Sequence, residues 1–311
     1  MRILYLADTR FPIERANGIQ TFETCHALAC RGHEVALVVR ADAHAPPRDP
    51  FLFYGAAPAA RLHVQPISVR GTAALRRAAY LAWSLERASR RDADLLFTRD
   101  LGVAAALLRM PRTLRPPVVY ESHGHAAVVA AAMGSLLSTG HAASPRKQRR
   151  LAARERLVWH AAEGYVTITT ALAAHLREAF GDRRHLAVVP DGTRPPGPFV
   201  EPPSGDGPMH LIYAGHLYPW KGVDTLIDAL ARTDGVTATI VGGHPGEPDL
   251  ARVQALAMRL GLASRVTFAG MVPPGEVAAW MRRAHALALP NSATTISSAY
   301  TSPLKLFEYL A

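Results

Sequence analysis

The chain of 311 residues has few cysteines, few aromatic residues and no long apolar run. Each of these shortages excludes some classes of protein. Its two cysteines, Cys25 and Cys30, would point roughly 140° apart on one helix. They cannot share a metal or form an unstrained disulfide there, so we expect two small buried apolar residues. Aromatic residues make up only 7% of the chain, whereas alanine is abundant, which suits helices packed on sheets.

Features of membrane-spanning and secreted proteins are also missing. The sequence contains no run of about 18 uncharged apolar residues, so we expect no segment that spans a bilayer. The N-terminus begins directly with an apparent strand, MRILYLAD, and lacks the basic, apolar and small-residue layout of a signal peptide. We therefore predict a cytoplasmic protein.

Positive charge is in excess, with 35 lysine and arginine residues against 25 aspartate and glutamate residues. Two segments concentrate it, and they contain Arg76, Arg77, Arg87, Arg90 and Arg91, and Arg146, Lys147, Arg149, Arg150, Arg154 and Arg156. Such clusters are explained either by helix faces exposed to solvent or by attraction to an anionic surface. Because no zinc-finger spacing or RNA-binding aromatic signature accompanies them, we expect no nucleic-acid partner. Peripheral contact with the inner face of a membrane is the alternative to a solvated surface.

Short apolar runs rich in branched residues alternate with helical patterns throughout the chain. The runs predicted as strands are 2–7, 34–39, 63–67, 94–98, 118–121, 164–168, 186–189, 211–214, 237–241, 265–268 and 286–289. The clearest helical patterns are 20–31, which ends before Gly32, and 223–232, 249–261 and 274–284. This alternation predicts the α/β class, with parallel sheets covered by helices.

A proline-rich segment divides the pattern in two. Residues 194–208, RPPGPFVEPPSGDGP, hold six prolines and three glycines and cannot form a helix or an interior strand. We predict a first Rossmann-like domain over 1–193, a linker over 194–208 and a second Rossmann-like domain over 209–311, with ligand in a cleft between them. The chain stops inside an apolar helical pattern with no cap, so we expect the second domain to be incomplete.

The most informative stretch is 211–230, LIYAGHLYPWKGVDTLIDAL. It predicts a buried strand, a turn at Gly215, a short loop carrying Lys221 and an amphipathic helix. In an open α/β sheet this arrangement is where a phosphorylated ligand is held. Taken alone, the stretch is better explained as an ordinary strand-to-helix turn with a surface lysine.

Eight short motifs along the chain favour the ligand-binding interpretation over the ordinary turn. They are NGIQTF, YESHGH, VTITTALAAHL, VVPDGT, YAGHLYPWKGVDTLIDAL, IVGGHP, VTFAGMVP and SPLKLFEYLA. Together they make the chain resemble the GT-B-fold retaining glycosyltransferases, in particular family 4 (glycosyl transferases group 1), over nearly its whole length. The resemblance implies transfer of a sugar from a nucleotide diphosphate to an acceptor, with retention of configuration and without a metal or other cofactor. The donor is expected to be UDP- or GDP-linked.

The family neutralises the departing diphosphate with an arginine and a lysine. Lys221 matches that lysine, but the position of the arginine holds His216. A neutral histidine gives one hydrogen bond and no charge, whereas arginine gives a permanent planar fork. His216 is therefore either a diphosphate contact that charges on binding or a turn residue. Gly18, in the loop after the first strand, matches a glycine that lets the backbone approach the phosphates, although a plain turn also explains it.

The resemblance also assigns residues near the sugar. His123 follows a predicted strand and matches the histidine beside the transferred sugar, where it would hydrogen-bond a hydroxyl; a structural histidine is the alternative. His125 is a weaker candidate. Asp191 and Gly192 resemble the family's Pro-Asn-Gly turn, and we assign them structure rather than chemistry.

The last motif supplies nucleotide contacts. Glu308 matches the second glutamate of the family's Glu, seven residues, Glu motif, which accepts hydrogen bonds from the ribose. The first glutamate is replaced by Tyr300, which carries no negative charge at neutral pH. Ser302 and Leu304, where the helix is expected to begin, offer backbone N–H groups to the diphosphate. Lys305 lies one turn into that helix, where a surface lysine is the simplest interpretation.

Two more loops follow predicted strands of the second domain. Gly243 lies after TATIV, and Met271 lies after VTF in a loop that in relatives contacts the nucleobase through its main chain. Glycine pairs are common in turns, so this signal is weak.

The predicted function is a glycosyltransferase acting on a glycan, lipid-linked or other envelope-precursor acceptor in polysaccharide biosynthesis. A truncated or degenerate homologue that at most binds a nucleotide sugar is the alternative, favoured by the missing arginine and glutamate. A nicotinamide-dependent oxidoreductase would need G-x-G-x-x-G after the first strand, where the chain reads DTRFPIERANG. A sugar-nucleotide epimerase would need further acid and base residues, of which no clear set is present.

Overall fold

The computed structural model describes residues 1–42, 46–136, 143–195, 201–204 and 207–311. The chain divides into two compact units. The first comprises Met1–Val129, Ser144–Asp191 and Ala299–Ser302, and the second comprises Ala130–Ala143, Gly192–Ser298 and Pro303–Ala311. Each unit contains a parallel sheet, so the predicted α/β class is confirmed.

The sheet of the first unit has seven parallel strands. They are β1 (Arg2–Phe11), β2 (Glu34–Ala41), β3 (Leu62–Ile67), β4 (Leu95–Thr98), β5 (Val118–Ser122), β6 (Gly164–Thr167) and β7 (Leu186–Val188). Their order is β3-β2-β1-β4-β5-β6-β7. Every apolar run predicted in this part forms a strand. Strand β1 is longer than predicted because its pairing with β2 resumes at Arg10 and Phe11 after an irregularity.

The described part of the chain places seven α-helices among these strands. They are α1 (Ala16–Cys30), α2 (Pro50–Phe53), α3 (Ala73–Ser89), α4 (Leu101–Leu107), α5 (Ala126–Leu136), α6 (Pro145–Ala161) and α7 (Thr170–Phe180). Side-chain oxygens of Thr72, Asp100, Ser144 and Thr169 accept hydrogen bonds from first-turn N–H groups and so fix four helix starts. The predicted end of α1 is confirmed, because Gly32 follows it with φ of +91°.

The second unit has a sheet of four parallel strands. They are β8 (Met209–Ala214), β9 (Val236–Val241), β10 (Val266–Gly270) and β11 (Ala286–Leu287), in the order β10-β9-β8-β11. The helices of this part are α8 (Val223–Leu230), α9 (Pro248–Arg259), α10 (Pro274–Met281), α11 (Thr295–Ala299) and α12 (Leu304–Leu310). Helix α8 buries Val223, Leu226, Ile227 and Leu230 against the sheet, as its periodicity predicts.

Two local expectations are wrong. Cys25 is buried, but Cys30 is exposed, because it lies at the last position of α1 on the side away from the core. Gly18 is not in a loop, since α1 begins earlier than predicted, at Ala16. The predicted linker 194–208 lies partly outside the described residues, and its described part contains no helix or strand.

Parallel pairing gives each sheet one edge where all of its strands end. Central strands are apolar on both faces, as in β1, where Tyr5 and Leu6 are fully buried. The connections that leave the strand ends are therefore the parts of each unit that can present polar groups to a ligand. Among the described residues, no helix is both long and apolar enough to cross a bilayer.

Candidate functional site

The strand ends of the second sheet are held together by glycines. Gly215 donates its N–H to the Val241 carbonyl at 2.7 Å, and Gly242 donates to the Gly270 carbonyl at 2.7 Å. A Cβ on Gly242 would come within 2.1 Å of the Gly215 oxygen, and φ at Gly242 is +133°. Only glycine fits this approach of two strand ends, so the edge presents backbone rather than side chains.

Lys221 lies in the connection between β8 and α8, at the end of a short 3-10 turn over Pro219–Lys221. Its loop is fixed from the other side, since the Ser292 and Ser297 hydroxyls both donate to the Trp220 carbonyl, at 3.1 and 3.3 Å. Burial lowers the pKa of Lys221 below its ordinary value. Within the described residues, no carboxylate lies at ion-pair distance from its ammonium. Burial of an unpaired charge is unfavourable, so a bound anion would stabilise the charged form of Lys221.

His216 lies on the same connection, directly after Gly215. Its ring stacks on Tyr218 with centroids 5.2 Å apart, and Tyr218 stacks on Trp220 at 4.7 Å. Its Nδ1 atom lies 3.4 Å from Oε1 of Glu247. The His216 carbonyl accepts a hydrogen bond of 2.6 Å from the Tyr213 hydroxyl. The structure thus places His216 beside the loop of Lys221, where a protonated imidazole would have a carboxylate neighbour.

Lys305 is not the surface lysine that the sequence suggested. It extends from α12 across the ring of Tyr213, with Nζ 3.9 Å from the ring centroid, and donates to the Tyr213 hydroxyl at 2.6 Å. The chain has only three lysines, and two of them therefore lie at this edge of the second sheet. The sequence signal that could have found it is this scarcity of lysine beside an abundance of arginine.

The remaining nucleotide-contact candidates of the second unit lie on α12 and in the connections that follow β9 and β10. Glu308, on α12, is partly exposed, and its negative charge acts on both Lys305 and Tyr309. Leu304 is the first residue of α12, Met271 follows β10, and Gly243 follows β9 with φ of +86°. The Tyr309 hydroxyl accepts from the Ala214 N–H at 3.1 Å and so ties α12 to the end of β8.

His123 lies in the first unit, directly after β5, and its imidazole Nε2 is hydrogen-bonded to the Glu121 carboxylate. Burial, followed by the Arg99 guanidinium, holds the pKa of His123 below its ordinary value, and Glu121 offsets that shift only in part. Burial alone would raise the pKa of Glu121, but His123 and Arg99 lower it overall. The arrangement is an imidazole oriented by a buried carboxylate, with the charged form of the ring disfavoured by burial.

Sequence reasoning missed two nearby residues: Arg99, whose charge acts on both His123 and Glu121, and Asp191, which feels the charges of Arg99 and Glu121. Arg99 follows β4 and donates to Oε1 of Gln20 at 3.0 Å. Burial raises the pKa of Asp191 to about 6, with the Glu121 carboxylate adding to the shift and Arg99 opposing it. The group draws on strand ends more than ninety residues apart in sequence, so no local motif reveals it.

Two predicted nucleotide contacts belong to the first unit. Ser302 is buried, and its hydroxyl accepts from the Asp191 N–H at 2.8 Å. Tyr300 is also buried, and its hydroxyl lies 3.1 Å from Nδ1 of His175. Their contact with a nucleotide stays a prediction.

Gly18 and His125 occupy defined positions in the first unit. A Cβ on Gly18 would come within 2.4 Å of the Ile13 side chain, so the chain needs a glycine there for packing. His125 lies with Nε2 3.7 Å from the buried carboxylate of Glu155. Neither position requires a ligand to explain its residue.

The two basic segments differ in their partners. In α3 and just beyond it, Arg77 pairs with Asp8 and Asp100, Arg87 pairs with Asp92 and Arg90 pairs with Glu86. At the start of α6, by contrast, four side chains are exposed and make no ion pair within the described residues: Arg146, Lys147, Arg149 and Arg150. Among the described residues, the start of α6 therefore presents four basic side chains without a carboxylate partner.

No group of three or more histidine, cysteine, aspartate and glutamate side chains in the described part of the chain is arranged to hold a metal ion.

Comparison with known families matches both parts of the chain. Residues 17–192 match the model of the glycosyl transferase 4-like domain, and residues 208–311 match that of the glycosyl transferases group 1. A curated relative, D-inositol 3-phosphate glycosyltransferase of Xylanimonas cellulosilytica, is 30% identical over 193 residues, which cover 56% of this chain and 44% of the relative. The chain spans under half the length of the curated relatives that it matches.

Solved structures show the same fold at low identity. Sucrose-phosphate synthase from Thermosynechococcus elongatus superposes with a TM-score of 0.66 at 17% identity, over 93% of this chain and 75% of that chain. Anabaena HepE in complex with UDP and glucose superposes with a TM-score of 0.64 at 19% identity, over 94% and 75%. Both are similar in fold alone. Taken with the two matching family models, they establish that the chain belongs to the glycosyl transferase 4-like family and has the GT-B architecture.

Proposed function

We propose that the protein transfers a sugar from a nucleotide-diphosphate donor to an acceptor, with retention of configuration and without a metal ion. The single observation that carries this proposal is the Lys221 ammonium, partly buried at the edge of the second sheet with no carboxylate at ion-pair distance among the described residues. Cleavage of the glycosidic bond leaves negative charge on the departing diphosphate. A cation already held in place stabilises that charge as it develops.

Other parts of the donor are assigned to neighbouring groups. Glu308 accepts hydrogen bonds from the ribose hydroxyls, and the main chain at Gly243 and Met271 contacts the diphosphate and the base. His216 contributes a hydrogen bond to the diphosphate. His123, held by Glu121, hydrogen-bonds a hydroxyl of the transferred sugar. The family's use of Gly18, Tyr300, Ser302 and Leu304 for the nucleotide stays a prediction.

The nature of the donor and acceptor is part of the proposal. A UDP- or GDP-linked sugar fits the family, and HepE, a protein of the same fold, has been solved with UDP and glucose. The curated relatives are named for transfer to D-inositol 3-phosphate, an acceptor that is a phosphorylated polyol. For this chain we propose a glycan, a lipid-linked sugar or another hydroxyl-rich envelope precursor.

We further propose cytoplasmic action at the inner face of an anionic membrane. Supporting this are the four uncompensated basic side chains at the start of α6, a face that would attract acidic headgroups. Such a contact would bring the enzyme to a lipid-linked acceptor.

The test is a panel of nucleotide-diphosphate sugars, each measured for thermal stabilisation of the protein and then for turnover with candidate acceptors. A ligand present at about 100 times its dissociation constant stabilises the fold by about 2.7 kcal/mol, which a melting curve resolves readily. Stabilisation by one donor, with transfer of its sugar, supports the proposal. Stabilisation without transfer or hydrolysis would favour a protein that only binds the donor. The histidine at position 216, in place of the family's arginine, is consistent with that alternative. No response to any donor or to free nucleoside diphosphates would overturn the proposal.

A further inference from the structure

The side chain of Lys305 occupies the space directly in front of Gly215. A Cβ on Gly215 would come within 2.1 Å of the Lys305 Nζ atom, so the ammonium fills the place that the glycine leaves open. Gly215 is the first residue after β8, and its backbone faces the same edge as Lys221. Lys305 therefore lies where a ligand approaching the end of β8 would meet it.

Lys305 has little to balance its charge. Its one hydrogen bond among the described residues is to the Tyr213 hydroxyl, and no carboxylate there lies at ion-pair distance. The charged and titratable groups that act on it are Lys221, Glu308 and the hydroxyl of Tyr213. Burial, and then the Lys221 ammonium, hold the pKa of Lys305 well below its ordinary value, and Glu308 offsets this only in part. A positive charge on Lys305 is therefore disfavoured by the Lys221 ammonium until an anion binds near both.

Lys305 is also connected to the position where this chain departs from its family. The Tyr213 hydroxyl accepts from Lys305 and donates to the carbonyl of His216, both at 2.6 Å. The ammonium thus lies one side chain away from the residue that replaces the arginine. Charge missing from the loop after β8 can be supplied from α12.

We propose that Lys305 is the second cation of the diphosphate site and replaces the arginine that position 216 lacks. Lys305 takes up a proton when a diphosphate binds. This inference rests on the proposed function, because it presumes that a diphosphate binds beside Lys221. The proton comes from solvent, adds to the amine of Lys305 and leaves again with the ligand, so no other reactant is needed. Once the diphosphate is bound, both lysines contact the same anion, and the repulsion between them is offset by its negative charge.

Calorimetry with UDP, GDP and inorganic pyrophosphate tests this directly. Titrations at pH 7.5 in two buffers of different ionisation enthalpy report the protons taken up on binding. We compare the wild type with Lys305→Met, which keeps the length of the side chain without its charge, and with Lys221→Met. The control is Arg259→Met, because Arg259 is exposed at the end of α9, on the connection that leads to the start of β10 and so away from the strand ends.

The wild type and Arg259→Met are expected to bind with net proton uptake. Lys305→Met should bind the diphosphate about 10- to 100-fold more weakly, as for loss of one charged hydrogen bond, and without that uptake. Wild-type affinity together with wild-type proton uptake in Lys305→Met would overturn the inference. If the wild type binds no diphosphate at all, the proposed function fails, and not only the role of Lys305. Lys221→Met should weaken binding whether or not Lys305 takes part, so it tests the proposed function independently of Lys305.

A double variant tests the replacement of the arginine. Adding His216→Arg to Lys305→Met restores a permanent charge at the family position, so affinity should recover at least tenfold while proton uptake stays absent. Affinity no better than that of Lys305→Met alone would show that Lys305 does not stand in for that arginine.

Discussion

The imidazole Nε2 of His123 is hydrogen-bonded to the carboxylate of Glu121, two residues earlier on the same chain. Glu121 is the penultimate residue of β5 and His123 is the first residue after it, so the end of one strand supplies both partners. Because the carboxylate holds the ring at Nε2, it fixes the orientation of the imidazole.

Replacing Glu121 by glutamine tests this orientation. The variant removes the one charge that raises the pKa of His123, so burial and Arg99 should lower that pKa further. We expect sugar transfer to fall about 10- to 100-fold, because a hydrogen bond to a charged group contributes about 1.5–3 kcal/mol. Histidine titration by NMR and turnover with the identified donor measure the two effects.

The matched control for that variant is Glu178→Gln, since Glu178 is exposed on α7. It should leave both measurements unchanged. Equal activity and an equal His123 titration in Glu121→Gln and wild type would show that the carboxylate plays no part.

Replacing Lys221 by methionine should abolish stabilisation by donor while leaving the fold at least as stable. Burial disfavours the charged ammonium, so the uncharged side chain fits the free protein no worse than the native one. Melting curves with and without a nucleotide-diphosphate sugar give both quantities. A variant that is stabilised as strongly as the wild type would remove Lys221 from the diphosphate site.

Replacing Glu308 by glutamine separates ribose from diphosphate. If Glu308 accepts the ribose hydroxyls, UDP and GDP should bind about tenfold more weakly, whereas inorganic pyrophosphate, which has no ribose, should lose much less. Competition binding with the three ligands measures this ratio. Equal losses for pyrophosphate and for the nucleotides would contradict the ribose assignment and point to an effect through Lys305.

Glu155, on α6, predicts how stability depends on pH. Its Oε2 accepts the Ala126 N–H at 2.8 Å, its Oε1 has no hydrogen-bond partner among the described residues, and burial raises its pKa to about 8. The folded state keeps a proton that the unfolded state loses near pH 4.5. The contribution of this group to the free energy of unfolding is therefore highest below that pH and falls as the pH rises toward 8.

Glu155→Gln keeps the acceptor and removes the charge. It should stabilise the protein at pH 8 by on the order of 2 kcal/mol and change little at pH 4.5. Denaturant unfolding at the two pH values checks this, with Glu178→Gln as the exposed control. A stabilisation that is equal at both pH values would show that ionisation of Glu155 is not its source.

The basic start of α6 predicts binding to anionic vesicles. Changing its four uncompensated side chains (Arg146, Lys147, Arg149 and Arg150) to glutamine should weaken cosedimentation with phosphatidylglycerol-containing vesicles on the order of a thousandfold, at about 1 kcal/mol for each basic residue. Neutral vesicles should bind neither form.

The comparison for that variant is Arg90→Gln with Arg91→Gln. Arg90 already pairs with Glu86, and Arg91 donates to the Thr113 carbonyl, so these cations are not free to attract lipid. Equal weakening by both sets of changes would indicate a general effect of net charge rather than a surface at α6.

The strands and most of their connections could be predicted because their signals are local. A branched apolar run such as 236–241 has no stable place except inside a sheet, and the glycines after β8 and β9 mark turns that only glycine can make. Lys221 was found in the same way, since a lysine between a strand and a helix lies at the edge of the sheet whatever the rest of the chain does.

The sequence alone determined the α/β class, the two parallel sheets, the family and the position of Lys221, because periodicity and motif order are properties of neighbouring residues. Only the tertiary structure decided that Lys305 crosses Tyr213 to fill the space at Gly215, that Tyr300 and Ser302 belong to the first unit, and that the charges of Arg99 and Glu121 act on His123. The physical reason is distance along the chain. The energies that set these contacts, namely burial, hydrogen bonding and charge repulsion, act between residues that the fold alone brings together.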